Sequence, residues 1–509
     1  MDLAESIFAF SRWHASDLDT GAVIELDDLG WEQLRDFYLP LTPEGTRVGQ
    51  AGAQAFDRVL YVARAAGANS AYIEYRYIDI DFRSEFNHFY GSTFRRYPSV
   101  CHRLHFFAGD LAQDLSNLVD IGESYVGYTT IRPLETSPIG RTVLPPPDEL
   151  KAAVLCLATD LVHLRGVELR VTGMPFTSQD GQYLRCSHSS LWMAATFWNM
   201  KGVTPRFLPH EIHEAARGGT MQGRERPHEG LTVPQLMGAI QALGFSGPLI
   251  TFPQTEEASR QGRSRSLPAQ LCRYLNGQVP IIIHNRSHAW LAIGYFYVGD
   301  EDPSHDSARF VFHDDIRGPY LTSEASATPH NPWQSIADGR PWRGGLPVLP
   351  PKVYITAEKA ELLGRERLEI LAEERGYTGS LSYRTRLTRG VDFKAWVRAV
   401  VDDPTLSGLY LDTHLPRNVW VVEAINESTA TVDRQCVLGE AVIDCTANHL
   451  ASADSPALLT LRFQQYFKST SLDHQQPRSE SVETGASWTE MQQTGVSGPI
   501  NPRRLVLPD

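Results

Sequence analysis

A chain of 509 residues exceeds what one hydrophobic core serves, and at roughly 100–200 residues per domain it predicts two to four domains. Its net charge of −13, with Lys and Arg scattered in short pairs, argues against nucleic acid as a partner, because phosphate binding needs clustered cations. No run of about 18 apolar residues occurs, and the opening MDLAESIFAFSRWHASD carries early acids, so neither a membrane span nor a signal peptide is predicted. The six cysteines include no Cys-x-x-Cys pair, so no zinc or redox motif is expected, and a reduced, cytoplasmic setting is.

Within residues 1–150, AGAQAFDRVLYVARAAGA has helical apolar spacing and stops at Gly67. AYIEYRYIDID then alternates as a half-buried strand with Ile73, Tyr75 and Tyr77 on one face, and YVGYTTIRPL predicts another strand. This α/β-type region ends at Pro145, Pro146 and Pro147. Beyond it, ELKAAVLCLATDLVHL predicts a helix, VELRVTG a strand and SSLWMAATFWNM a helix. GLTVPQLMGAIQALGF predicts a helix capped by Thr232, with Pro234 in its first turn and Gly244 at its stop. SLPAQLCRYLNG predicts a further helix between Ser266 and Gly277. The strand-like runs VPIIIH, HAWLAIGYFYV and RFVFHD follow. Helices first and antiparallel strands afterwards predict an α+β domain over residues 151–355. Residues 356–468 predict a second α+β region with strands WVVEAI and EAVIDCTA. The polar, aliphatic-poor stretch 469–509 predicts a disordered tail.

The chemistry concentrates in the middle third. A cysteine nucleophile needs stabilisation of its anion, an imidazole in hydrogen-bond reach and donors for a developing oxyanion. Cys186 precedes the helix SSLWMAATFW, whose unpaired N–H groups and dipole favour negative charge. His288 opens the strand HAWLAIGY after the polar turn NRS. Asp314 and Asp315 end RFVFHD, where a carboxylate can fix an imidazole in one tautomer.

This order over about residues 175–320 resembles the papain-like cysteine peptidases, and within them the bacterial double-glycine leader peptidases. The matching text is QDGQYLRCSHSSLWMA, LCRYLNGQVPIIIHNRSHAWLAIGY and FVFHDDIRGPY. The resemblance implies a helix bundle packed on an antiparallel sheet, with Cys186 as nucleophile, His288 as base, Asp314 as orienting acid and Gln179 as oxyanion donor. Ser187 and His188 replace the family's Gly-Pro, Gln179 lies seven residues ahead of Cys186 instead of six, and Gln182 lies four ahead. Asp315, His284 and Gln182 are the alternatives for acid, base and oxyanion donor. The expected activity is cleavage of a peptide or protein substrate through a thioester, without cofactor or metal, in a bacterial, cytoplasmic protein. A transglutaminase-like acyltransferase or deamidase with the same triad is the alternative, and an inactive binding scaffold is another.

Other candidates carry less. His188 is two residues along the helix from Cys186 and is expected to face solvent. His210 and His213 lack the His-Glu-x-x-His spacing of a zinc protease. Cys101 has histidines beside it, but adjacency along one strand cannot aim His102 at its sulfur, and Cys445 is expected as a strand residue facing a core. Neither a Gly-x-Ser-x-Gly elbow nor a phosphate-binding Walker loop is present.

Overall fold

The computed structural model describes residues 21–39, 50–111, 122–134, 137–151, 153–217, 230–251, 267–297, 308–323, 342–401, 403–426, 437–447, 457–464, 466–473 and 476–483. The architecture is α+β, with antiparallel sheets throughout. Among the described residues no helix is long and apolar enough to cross a membrane.

The first sheet is a meander of β1 (Gly21–Glu25), β2 (Ser70–Tyr77), β3 (Cys101–Phe107), β4 (Tyr125–Ile131) and β5 (Ile139–Val143). Helix α1 (Asp28–Tyr38) starts at Asp27, whose carboxylate accepts the Gly30 N–H at 2.7 Å. Helix α2 (Gln50–Ala65) is followed by Gly67 at φ +85°, as its sequence predicts. The predicted strand AYIEYRYIDID is cut short. Arg76 adopts φ +54° where the register shifts, and Asp79 then caps a new helix, α3 (Ile80–His88), by accepting the Phe82 N–H.

The segment after Pro147 corrects the predicted helix over ELKAAVLCLATDLVHL. It forms the short strand β6 (Val154–Leu155) and then a hairpin of β7 (Ala158–Leu164) and β8 (Val167–Gly173). The two-residue turn explains the outcome: Arg165 at φ +49° and Gly166 at φ +86° give the primed geometry that twisted strands need. Val162, Leu164, Leu169 and Val171 bury against Phe107, Tyr125, Tyr128 and Val143 of the first sheet. The expected boundary at 150 therefore falls inside a shared core.

The central part carries α4 (Cys186–Met200), α5 (Pro209–Ala216), α6 (Val233–Ala242), β9 (Ile250–Thr251), α7 (Leu267–Leu275), β10 (Ile281–His284), β11 (Ala289–Tyr297), β12 (Ala308–Asp314), β13 (Gly318–Thr322) and β14 (Gly344–Pro347). The strand order is β13-β12-β11-β10-β14-β9, with β6 added against β11. Helix α6 follows the predicted capping: Thr232 and Gln235 form a reciprocal capping box. Helix α4 is buried at every position from Ser187 to Trp198 and packs on β10 and β11. Arg58 of α2 donates to the carbonyls of Pro319 (3.0 Å) and Tyr320 (2.5 Å) in β13. The Tyr320 hydroxyl donates to the Leu144 carbonyl and accepts the Met174 N–H.

The last part is α8 (Ala357–Glu374), β15 (Leu381–Arg389), α9 (Gly390–Val400), α10 (Pro404–Asp412), β16 (Asn418–Asn426), β17 (Val437–Asp444), β18 (Leu458–Phe463), β19 (Tyr466–Asp473) and β20 (Gln476–Glu483), a six-stranded meander in chain order. Gly364 of α8 lies so close to β16 that a Cβ there would sit 2.6 Å from the Val422 Cβ. The predicted disordered tail from 469 is corrected over its first part, because β19 and β20 continue the sheet through residue 483 by backbone pairing. Residues 484–509 lie outside the described residues.

Candidate active site

Cys186 is the first residue of α4, entered from an extended Arg185 whose side chain does not cap the helix, so the sulfur stands at the positive end of the helix dipole. Among the five described cysteines it alone is partly exposed. Burial pushes the thiols of Cys101, Cys156, Cys272 and Cys445 up, and the Cys445 sulfur is committed to the Asn418 carbonyl at 2.9 Å.

The loop before Cys186 is built by a residue that sequence reasoning passed over. One oxygen of Asp180 accepts the N–H groups of Gln182, Tyr183 and Leu184 at 2.7, 2.7 and 2.9 Å, and Gly181 takes φ +75°. Tyr183 and Leu184 anchor the turn in the core. Just upstream, buried Arg132 donates to the Ser178 carbonyl at 2.9 Å while pairing with Glu85 at 3.2 Å. Burial pushes the Glu85 carboxyl up to about 8, with the Arg132 charge opposing. The first sheet thus holds the segment that presents Gln179.

Opposite this loop, Asn285 accepts the N–H groups of Ser287 and His288, both at 2.8 Å, and so shapes the turn that delivers His288 to the start of β11. The imidazole is buried and stacks on Trp290, with ring centroids 5.6 Å apart. Its Nε2 meets the Asp314 carboxylate at 3.0 Å, and Asp315 lies 3.6 Å from the same nitrogen. The Cys186 side chain lies near enough to this imidazole to help raise its pKa. Burial alone would lower the His288 pKa, but the hydrogen bond to Asp314, the neighbouring Cys186 side chain and the acids Asp315 and Asp314 overcome it and raise the value to about 11.

The two acids divide their work. Asp314 places one oxygen on His288 and the other on the N–H groups of Ile316 (2.9 Å) and Arg317 (3.1 Å). Although burial opposes ionisation, these bonds and the imidazole hold its carboxyl below the usual range. Asp315 is fully buried, and neither of its oxygens has a hydrogen-bond partner among the described residues. Burial dominates there and pushes its carboxyl up to about 8, with His288 pulling it down and Asp314 pushing it up.

Both glutamines weighed for the oxyanion line one cavity of about 370 Å³, together with Asp180, Arg185, Asp315 and Ile316. The alternative base, His284, sits elsewhere: its Nε2 lies 2.7 Å from where a Cβ on Gly344 would be, facing β14. His188 does not face solvent as expected. It is fully buried, with its ring stacked on His213 at 4.2 Å. His210 contacts the Ser84 hydroxyl at 3.0 Å, and His213 contacts the Tyr183 carbonyl, so the two serve the packing of α5. His288, Asp314 and Asp315 are the one group among the described residues whose donor atoms, all within 4.8 Å, could share a metal ion.

The sequence carried signals for the missed residues: Asn285-x-x-His288 and Asp180-Gly181 are both side-chain-to-backbone turn patterns. Arg132 and Glu85 had no local signal, since their pairing spans 47 residues. Searches with this chain found no matching protein-family model, curated protein or solved structure.

Proposed function

We propose that this chain is a papain-like cysteine hydrolase acting on a peptide or protein amide. The observation that carries this reading is the buried His288–Asp314 pair at 3.0 Å beside Cys186, the one partly exposed cysteine among the described residues. A nearly all-buried helix with cysteine at its N-terminus, packed on an antiparallel sheet that supplies histidine and aspartate from adjacent strands, supports the papain-like assignment.

In this mechanism the Cys186 thiolate attacks the amide carbonyl, and the electron pair moves onto oxygen. The Cys186 backbone N–H at the start of α4 and an amide from Gln179 or Gln182 would stabilise that oxyanion. His288, held charged by Asp314, gives its proton to the leaving amine, which departs as the thioester forms. The neutral imidazole then takes a proton from water, whose oxygen attacks the thioester and releases the acid and the thiolate. An amine in place of water would give acyl transfer.

The test is reaction of the intact protein with a thiol-directed peptide electrophile and mapping of the modified residue. Labelling at Cys186, lost in Cys186→Ala and suppressed in His288→Ala, is expected. Labelling at another cysteine, or hydrolysis that survives Cys186→Ala and disappears with a chelator, would move the chemistry to the His288, Asp314 and Asp315 group as a metal site.

A further inference from the structure

The second cavity lies at the far end of the catalytic helix. It measures about 510 Å³, within the range of small-molecule sites, and opens where α4 ends against β15 and α9. Its walls include Trp198, Lys201, Gln278, Arg386, Arg389 and Trp396.

Charge is what distinguishes it. In a protein of net charge −13, four cationic side chains line this cavity: Lys201, Arg384, Arg386 and Arg389. Two carboxylates answer them. Arg389 is satisfied by Asp392 through two bonds of 2.6 and 2.7 Å. Arg384 is held by Glu423 at 2.5 Å, from behind the wall. Arg386 reaches the same Glu423 only at 3.5 Å and otherwise lies over the Trp396 ring, 5.8 Å from its centroid. Lys201 bonds the neutral Gln278 side chain and approaches the Phe197 ring at 5.5 Å. Among the described residues it has no carboxylate in ion-pair range. The surplus is therefore about two positive charges. The carboxyl end of α4, which Lys201 caps, offsets only about half a charge.

Leaving Lys201 without an ionic partner is costly, since burial disfavours its charged form and lowers its pKa. Gln278, which accepts from Lys201, is itself in the left-handed region at φ +54°, a conformation that a non-glycine residue holds only under constraint. The close approach of the two parts is deliberate in the sequence: a Cβ on Gly277 would sit 2.5 Å from the Leu387 backbone nitrogen.

We infer that this cavity binds a small, multiply charged anion, a phosphate ester or a polycarboxylate, between Lys201 and Arg386. An anion there would supply the charge that Lys201 lacks and that Arg386 has only by sharing Glu423 with Arg384, and the arginine plane suits the two-point contacts of phosphate and carboxylate. The site is separate from Cys186, which stands at the opposite end of a 15-residue helix, about 20 Å away at 1.5 Å per residue.

Isothermal titration calorimetry of the intact chain with inorganic pyrophosphate, adenosine monophosphate and citrate tests this and separates the two ligand sources. Saturable one-to-one binding of at least one of them is expected, weakened tenfold or more by Arg386→Met and by Lys201→Met, and kept in Cys186→Ala. Lys201→Met removes a buried charge, so its melting temperature without anion should be no lower than that of the wild type. The stabilisation that anion gives the wild type should shrink in the variant. Failure of all three anions to bind, or binding that both variants retain in full, overturns the inference. Neither result bears on the Cys186 chemistry.

Discussion

Asp315 turns the electrostatics of the site into a stability measurement. It is fully buried, its oxygens accept no hydrogen bond among the described residues, and its carboxyl is pushed up to about 8. In an unfolded chain an aspartate titrates near roughly 3.9. Between those values the unfolded chain has released its proton while the folded chain keeps it, so rising pH favours unfolding. For this one group the loss is about 1.4 kcal/mol per pH unit. Asp315→Asn keeps the shape and removes the titration. Wild type should therefore lose on the order of 2–3 kcal/mol relative to the variant between about pH 5 and pH 7. The difference should level off below about pH 4 and again above about pH 8. His288, with its raised pKa, adds stability that is full below its unfolded value and fades as pH climbs toward about 11. Asp315 lends His288 its charge only once it ionises, at about pH 8, so between about pH 5 and pH 7 that contribution is common to both proteins and largely cancels in the difference. Urea unfolding followed by tryptophan fluorescence at half-unit pH steps measures the curve. Parallel pH profiles for the two proteins through this window would refute the buried, proton-holding Asp315.

Replacing Asp314 with Asn keeps the contact but reverses its proton preference at Nε2, and acyl transfer should fall by on the order of 10³-fold or more, read as the rate of Cys186 acylation. Asp180→Ala strips the acceptor from three N–H groups and should cost about 3 kcal/mol in urea unfolding while slowing Cys186 labelling; unchanged labelling would separate that turn from the site. Gly364→Ala forces a methyl group against Val422 and should cost on the order of 1–3 kcal/mol, seen as a lowered urea midpoint with no change in site chemistry.

Local signals carried the central elements. The Thr232 cap, the stop at Gly244 and the runs VPIIIH, HAWLAIGYFYV and RFVFHD mark α6, β10, β11 and β12 within a residue or two. The pairing of His288 with Asp314 was legible for the same reason, because each stands at the end of a well-marked strand. The hairpin of β7 and β8 was not. Its apolar run matches a helical spacing as well as an alternating one, and only the Arg165-Gly166 turn decides between them. The strands after 466 escape because their polar sequence carries little apolar alternation, while backbone pairing with β18 orders them. The Arg132–Glu85 clamp and the orphan status of Asp315 depend on neighbours far away in sequence, which no local pattern encodes.

The grip of Arg58 on the carbonyls of β13, and of Tyr320 on Leu144 and Met174, has a consequence for how this protein is divided. The turn bearing Asp314 and Asp315 leads straight into that strand, so its mechanical support comes from a helix some 260 residues upstream. A fragment excised at residue 151 would keep Cys186, His288, Asp314 and Asp315 yet lose the brace beneath the acids. Any piece that keeps this support must therefore include α2 and the chain through Leu144.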